Sequence, residues 1–132
     1  MLLPAVTLPR TIPDAAAASA LFAPLATSAV EQAMVAYLGE DAKLLGVRLL
    51  PPGTRDTVDL PLRTIIGDAL EMGATALVLA HNHPSGDGRP SDADLTLTRR
   101  LARTLAEVEV RLIDHLVIGA GVTTSFRALG LL

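Results

Sequence analysis

The sequence predicts a single α/β domain, and three observations support this fold class. The chain has 132 residues, 50% of them hydrophobic, which suits one domain with one core. Segments with apolar residues at helical spacing alternate with short apolar runs bounded by turn residues, as expected for helices and β-strands. One such run, Ala76 to Ala80, is continuously apolar, the pattern of a strand covered on both faces.

The N-terminal half predicts an arm, a helix and a hairpin. Residues 1–13 contain three prolines and are expected to be extended, with the domain itself occupying residues 14–132. Asp14 is a suitable N-cap for the alanine-rich run after it, so a short helix should end before Pro24. Two strands should then pair as a hairpin ahead of a Pro-Pro-Gly breaker. The strands are expected at 32–38 and 43–50, with the turn at 39–41 and the breaker at 51–53.

The C-terminal half predicts two helices and a second hairpin around the buried strand. Apolar residues recur at helical spacing from Leu62 to Leu70, and Gly73 is a good residue to end that helix. After Ala80, residues 81–90 should form an irregular loop, because they contain two prolines and two glycines. Ser91 should start a helix whose inner face includes Thr98 and Leu101. The closing hairpin is expected over 111–118 and 122–126.

Composition disfavours several classes of protein. Aromatic residues make up 2% and the formal net charge is −3, which argues against base-stacking modules and basic phosphate-binding surfaces. The three clustered arginines, Arg99, Arg100 and Arg103, are expected to lie on a solvated helix face. The absence of cysteine excludes disulfides and thiolate metal sites. The uncharged stretch 15–30 is too short for a membrane span and has no basic lead-in, so we expect a cytoplasmic protein.

The segment His81-Asn82-His83-Pro84 places two imidazoles two residues apart at the end of the buried strand. On an extended backbone both rings point to the same side. Asp94 falls on the first turn of the next helix, where its carboxylate can face the loop. Two histidines and one carboxylate leave a tetrahedral zinc ion one open position for water, which is typical of catalytic sites.

Simpler interpretations of these residues exist. Ser91-x-x-Asp94 is also a capping box, in which the two side chains bond the first turn of the helix. An isolated His-x-His is more often an ordinary surface or core feature, and Asp87 is an alternative carboxylate nearer in sequence. The combined spacing in a strand, loop and helix context nevertheless favours a metal site.

This combination resembles the signature of the MPN/JAMM (JAB) metalloprotease family. HNHPSGD and PSDAD look like its RadC-like branch, and the similarity extends from about Glu31 to Leu132. The resemblance implies an α/β fold with a mixed sheet flanked by helices, layered as in cytidine deaminases. It also implies zinc bound by His81, His83 and Asp94, with Ser91 hydrogen-bonding at the site. A deaminase itself is excluded, because its cysteine ligands are absent.

The family also uses a glutamate on or just before an early strand, acting through the metal-bound water. Counting back from Gly53-Thr54, which resembles the family's Gly-Thr pair, Glu31 falls at the matching place, with Glu40 and Glu71 as competitors. The resemblance therefore implies a zinc-dependent hydrolase of peptide or isopeptide amide bonds. Glu31 would be the general base, and Ser91 a donor to the developing oxyanion.

Departures from the family pattern affect the expected partners more than the metal. The chain lacks the helix-hairpin-helix region of full-length RadC-like proteins, so DNA binding by this chain is not expected. Pro61-Leu62-Arg63-Thr64 replaces His-Pro-Arg-Glu, and Ala128 replaces a frequent glutamate. A DNA-associated accessory protein and a non-catalytic MPN scaffold are the alternative functions. Asp114 and His115 match an Asp-His pair of the family. One of them could support a metal ligand, or the two could form a structural pair at a strand edge, and we assign a role to neither residue.

Overall fold

The computed structural model describes residues 1–4, 8–52 and 60–132, and Gly53-Thr54 lies outside these ranges. The regular elements in chain order are α1 (Ala15–Phe22), β1 (Ala33–Leu38), β2 (Leu44–Leu49), α2 (Leu62–Met72), β3 (Ala76–Asn82), α3 (Asp92–Glu107), β4 (Arg111–Gly119) and β5 (Val122–Ser125). Short 3₁₀ helices follow α1 and β1. The predicted alternation of helices and strands is confirmed.

The strands form one mixed sheet in the order β2-β1-β3-β4-β5. β3 and β4 are parallel, whereas the other neighbouring strands are antiparallel, so both predicted hairpins are confirmed. The register places Ala33 opposite His81 at one end of β1 and Leu38 opposite Ala76 at the other. The start of β1 therefore lies beside the end of β3.

Helices cover both faces of this sheet. Alternate residues of β1 and β3, such as Val35 and Leu79, pack with α2 and α3, while Met34 and Ala80 pack with α1 on the opposite face. All seven residues of β3 are buried, and for Ala76 to Ala80 the uninterrupted apolar run predicts this. The result is the expected α/β fold with a mixed sheet between helical layers.

One predicted boundary needs correction, the end of β3. β3 continues through Asn82, so the irregular loop starts at His83 and not at His81. The physical reason is that His81 lies between two strands, paired with Ala33 on one side and Val117 on the other, and the ladder extends past the apolar run. The other predicted strand ends agree with the structure within one residue.

The helix ends follow the predicted capping residues. The Asp14 side chain accepts a hydrogen bond from the Ala17 N–H at 2.8 Å, which caps α1. Gly73 ends α2 in the left-handed conformation with φ 68°, which glycine adopts without steric cost. Within the described parts of the chain, none of the helices is long and apolar enough to cross a membrane.

The described residues of the N-terminal arm contact the outer edge of the sheet at and just before β2. Leu2 bridges Arg48, and Thr11 bridges Lys43, both antiparallel. These contacts cover a strand edge that would otherwise expose unpaired backbone groups. The division of the chain at residue 13 stays a prediction.

A partly buried ion pair fixes α2 to the sheet on the face that α2 and α3 cover. Asp68 of α2 accepts hydrogen bonds from the Tyr37 hydroxyl at 2.8 Å and from Nε and Nη2 of Arg48 on β2. Hydrogen bonding by Arg48, and then by Tyr37, outweighs the effect of burial and holds the pKa of Asp68 below its ordinary value. Burial raises the pKa of Tyr37, so its hydroxyl keeps its hydrogen and donates.

We predict that Asp68→Asn lowers the free energy of unfolding by about 3 kcal/mol, because the Arg48 charge loses its partner inside the fold. Urea unfolding at neutral pH measures the loss. Since the pKa of Asp68 is lowered by folding, its contribution is complete above about pH 4 and fades as the pH falls through the folded value. The variant should therefore lose less stability on acidification than the parent.

Glu71→Gln is the matched control, because it makes the same chemical change at an exposed position on the same helix. It should change the free energy of unfolding by less than about 0.5 kcal/mol. Equal stability of the Asp68 variant and this control would contradict the role assigned to the ion pair.

Candidate metal centre

The end of β3 and the first turn of α3 bring the predicted ligands together. His81 follows Leu77 and Leu79 at two-residue steps, so its side chain points to the face of the sheet that α3 covers. Asp94 is a buried residue in the first turn of α3. Among the described residues, four side chains offer ligand atoms that all lie within 4.8 Å of one another: Glu31, His81, His83 and Asp94.

The distances within this cluster are short. His81 Nε2 lies 3.0 Å from His83 Nε2 and 3.2 Å from an Asp94 carboxylate oxygen. His83 Nε2 lies 3.1 Å from the other oxygen of Asp94. The side chains of His81 and Asp94 are only 2% and 3% exposed, while that of His83 is 16% exposed. The cluster is therefore open to solvent on the His83 side.

The hydrogen bond made by His83 Nδ1, the ring nitrogen that faces away from the cluster, determines whether Nε2 carries a hydrogen or a lone pair. His83 Nδ1 lies 2.8 Å from the main-chain oxygen of Asp87, which can only accept, so Nδ1 carries the hydrogen. In the neutral ring Nε2 then holds a lone pair directed at Asp94. A nitrogen lone pair and a carboxylate oxygen converge here at 3.1 Å, an arrangement that a cation bound between them would stabilise. The donor set of imidazole nitrogens and carboxylate oxygens suits zinc.

Asp94 is held as a carboxylate by its neighbours. Burial raises its pKa, but the polar contacts that it makes with His81 and Ser91 outweigh burial and bring the pKa below its ordinary value. The Ser91 N–H donates to Asp94 Oδ2 at 2.8 Å, and the Asp94 N–H donates to Ser91 Oγ at 3.0 Å. This capping box is the simpler interpretation of Ser-x-x-Asp, and it coexists with the cluster because Asp94 takes part in both.

Glu31 precedes β1 and borders the cluster. Its Oε1 lies 4.0 Å from Nε2 of both His81 and His83, too far for a direct hydrogen bond, and its side chain is 28% exposed. The competing Glu40 lies beyond Leu38, at the opposite end of β1 from this cluster. Glu71 is exposed near the end of α2. Of the three glutamates considered, only Glu31 is brought to the histidines.

Asn82, the residue between the two histidines, fixes the backbone on both sides of Glu31. Its Oδ1 accepts from the Gln32 N–H at 2.7 Å, and its Nδ2 donates to the Val30 oxygen at 2.9 Å. Asn82 is 2% exposed, so solvent competes little with these bonds. Sequence reasoning missed this role, because Val30 and Gln32 are 52 and 50 residues away along the chain.

The loop after β3 is held against the turn between β4 and β5. A Cβ on Gly119 would lie 2.5 Å from the Gly86 oxygen and 2.8 Å from the Gly88 nitrogen, so only glycine permits this approach. The same loop directs the Asp87 carboxylate to Arg89, whose hydrogen bonds lower the pKa of Asp87 to about 2. Asp87 therefore contributes its main-chain oxygen to the site, and its carboxylate is bound elsewhere.

His115 contacts the cluster from β4, although the sequence assigned it no role. Its Nε2 lies 2.6 Å from His81 Nδ1, and its ring stacks on Phe126 with a centroid separation of 4.5 Å. Burial, and then the nearby His81, lowers the pKa of His115 well below the ordinary value, so its ring is neutral at physiological pH. Asp114, its neighbour, instead accepts from Ser125 Oγ at 2.5 Å and from the Arg127 N–H at 3.1 Å.

Comparison with known proteins agrees with this fold and cluster. A family model described as a RadC-like JAB domain matches residues 12–131. The UPF0758 protein Bpet3149 of Bordetella petrii is 42% identical over 108 residues, which cover 82% of this chain and 48% of that relative. The UPF0758 proteins YfjY and YkfG of Escherichia coli are 40% and 41% identical over 102 residues, 77% of this chain and 64% and 65% of those relatives.

The chain thus spans about half to two thirds of the length of these curated relatives. The matched region contains every residue of the cluster, the strand that carries its histidines and the helix that carries its aspartate. With this match over nearly the whole sequence, the chain belongs to the RadC-like JAB domain family.

Proposed function

We propose that this chain is a zinc-dependent hydrolase that cleaves the amide bond of a peptide or an isopeptide link. The observation that carries the proposal is the convergence of His81, His83, Asp94 and Glu31 within 4.8 Å, open on the His83 side. Three of these residues would hold the metal, and Glu31 would stand beside it. Structural zinc sites are closed by four protein ligands, whereas catalytic sites keep a position for water or substrate.

A bound zinc ion would supply a Lewis acid and lower the pKa of a water molecule toward neutrality. The chain's own residues would supply the rest of the chemistry. Glu31 is close enough to take a proton from a nucleophilic water in the cluster, and it would return that proton to the leaving amine. Asn82 would keep Glu31 in place through the backbone bonds on either side of it.

Ser91 would add a hydrogen bond to the oxyanion that forms at the cleaved carbonyl. Its Oγ accepts from the Asp94 N–H in the capping box, and that bond does not use the hydroxyl hydrogen. The same hydroxyl can therefore cap α3 and donate to a substrate. A donor of this kind typically accounts for about 10²-fold or more in rate.

The first test is metal content. We predict that protein purified without added metal, or titrated with zinc after chelation, holds about one zinc per chain. Zinc at about 100 times its Kd should raise the free energy of unfolding by about 2.7 kcal/mol, because it binds the folded state. Elemental analysis and thermal unfolding measure the two effects. A chelated protein that takes up no zinc, with no change in thermal stability, would refute the proposed metal site.

A further inference from the structure

A line of buried hydrogen bonds runs from His81 through His115 to α3. His81 Nδ1 lies 2.6 Å from His115 Nε2, and His115 Nδ1 lies 2.6 Å from Thr98 Oγ1. Thr98 Oγ1 in turn lies 2.6 Å from the main-chain oxygen of Asp94, one helical turn earlier. His81, His115 and Thr98 are 2%, 0% and 1% exposed, so water does not replace these bonds.

The last bond of the line determines the direction of the others. A main-chain oxygen can only accept, and two oxygens 2.6 Å apart need a hydrogen between them, so the Thr98 hydroxyl donates to Asp94. That hydroxyl has no second hydrogen, and it must accept from Nδ1 of His115. With Nδ1 carrying the hydrogen and the ring fully buried, where a charge is costly, Nε2 of His115 holds a lone pair and accepts from Nδ1 of His81 at 2.6 Å.

We propose that His115 and Thr98 are positioning residues that fix His81 with its hydrogen on Nδ1 and its Nε2 lone pair directed into the metal cluster. The use of this orientation rests on the proposed zinc function. The placement of the hydrogens rests on hydrogen-bond geometry. His83 receives the same orientation from the Asp87 main-chain oxygen. Both histidines therefore present Nε2 as an acceptor, which is the form a metal requires.

The line of hydrogen bonds also joins the two elements that carry predicted ligands. It begins on the His81 ring and ends on the main-chain oxygen of Asp94, so it links the end of β3 to the first turn of α3. Stacking of His115 on Phe126 keeps the intermediate ring in place. Thr98 lies on the buried face of α3 with apolar residues such as Leu101 and Leu105. Its hydroxyl therefore has a hydrogen-bonding role at a position where an apolar side chain would also fit the pattern.

The test is Thr98→Val, which keeps the shape of the side chain and removes the hydroxyl. Without that acceptor, His115 should move its hydrogen to Nε2 and donate to His81, which should then carry its own hydrogen on Nε2. Long-range ¹H–¹⁵N correlation spectra of the metal-free protein at about pH 9, where neutral histidines predominate, report this exchange. Zinc affinity should fall roughly 10- to 100-fold, as for other losses of support to a ligand.

Two variants serve as controls. Thr98→Ser keeps the hydroxyl and should keep both the parent tautomers and the parent zinc affinity. Thr104→Val removes a hydroxyl that makes the same bond on the same helix, 2.8 Å to the Arg100 oxygen, with no histidine involved. It should resemble the parent in both measurements, which separates the histidine effect from a general effect on the helix.

The inference is overturned if the parent His81 carries its hydrogen on Nε2, or if Thr98→Val leaves the tautomer of His81 unchanged. Because the spectra need neither metal nor substrate, this outcome is distinct from a failure of the proposed hydrolase. A protein with the predicted tautomers that binds no zinc would instead refute the proposed function alone.

Discussion

Replacing Glu31 with glutamine is expected to reduce amide hydrolysis on the order of 10²-fold or more while zinc remains bound. Glutamine keeps the shape and the hydrogen-bonding ability of the side chain but cannot accept a proton at neutral pH. Glu31 lies 4.0 Å from the two histidine nitrogens, beside the ligands and not among the closest contacts. The substitution should therefore distinguish a role in metal binding from a role in proton transfer.

The measurements are zinc content by elemental analysis and the rate of cleavage of a panel of peptides and ubiquitin-like fusions. Glu40→Gln is the matched control, since Glu40 is an equivalent carboxylate at the far end of β1. It should retain both zinc and the parent rate. If Glu31→Gln cleaves as fast as the parent, Glu31 is not the base, and if it loses zinc, Glu31 is a ligand.

Replacing Asp94 with asparagine is expected to weaken zinc binding by more than the roughly 10- to 100-fold typical of losing an outer partner of a ligand. The substitution removes a negative charge that lies 3.2 Å from His81 Nε2 and 3.1 Å from His83 Nε2. An asparagine oxygen can still accept from the Ser91 N–H, so the capping box should survive. The affinity loss should come with little loss of helix stability.

Asp92→Asn makes the same change two residues away, at an exposed position on the same first turn of α3. Zinc titration by calorimetry and thermal unfolding of the metal-free protein distinguish the two variants. Only Asp94→Asn should lose affinity, and the two should unfold at similar temperatures. Equal zinc affinity in both variants would show that Asp94 is not a ligand.

The sequence alone determined the elements and the local part of the site. Apolar periodicity predicted α2 and α3, because side chains repeat every 3.6 residues in a helix, and the continuous apolar run from Ala76 to Ala80 predicted the buried β3. Capping residues predicted the helix ends at Asp14 and Gly73. The spacing of His81, His83 and Asp94 predicted their convergence. The two histidines lie at the end of one strand, and Asp94 lies one loop later on the first turn of the next helix.

Local sequence patterns do not identify residues whose partners lie far away along the chain. Family resemblance predicts the role of Glu31, because an acidic residue before a strand has no distinctive local pattern. The competing Glu40 was set apart by the register of β1 with β3, which places Leu38 far from His81. The extension of β3 through His81 and Asn82 was likewise decided by pairing with β1 and β4 on either side.

Only the tertiary structure showed how the site is supported. His115 was visible in sequence as part of an Asp-His pair, but Thr98 could be placed only on the inner face of a helix, with no sign of a polar role. Their contacts join residues 34 and 17 positions apart, from β3 to β4 and from β4 to α3. Hydrogen bonds act over about 3 Å, so their partners are fixed by which elements pack together and at what register, and a one-dimensional pattern does not contain that information.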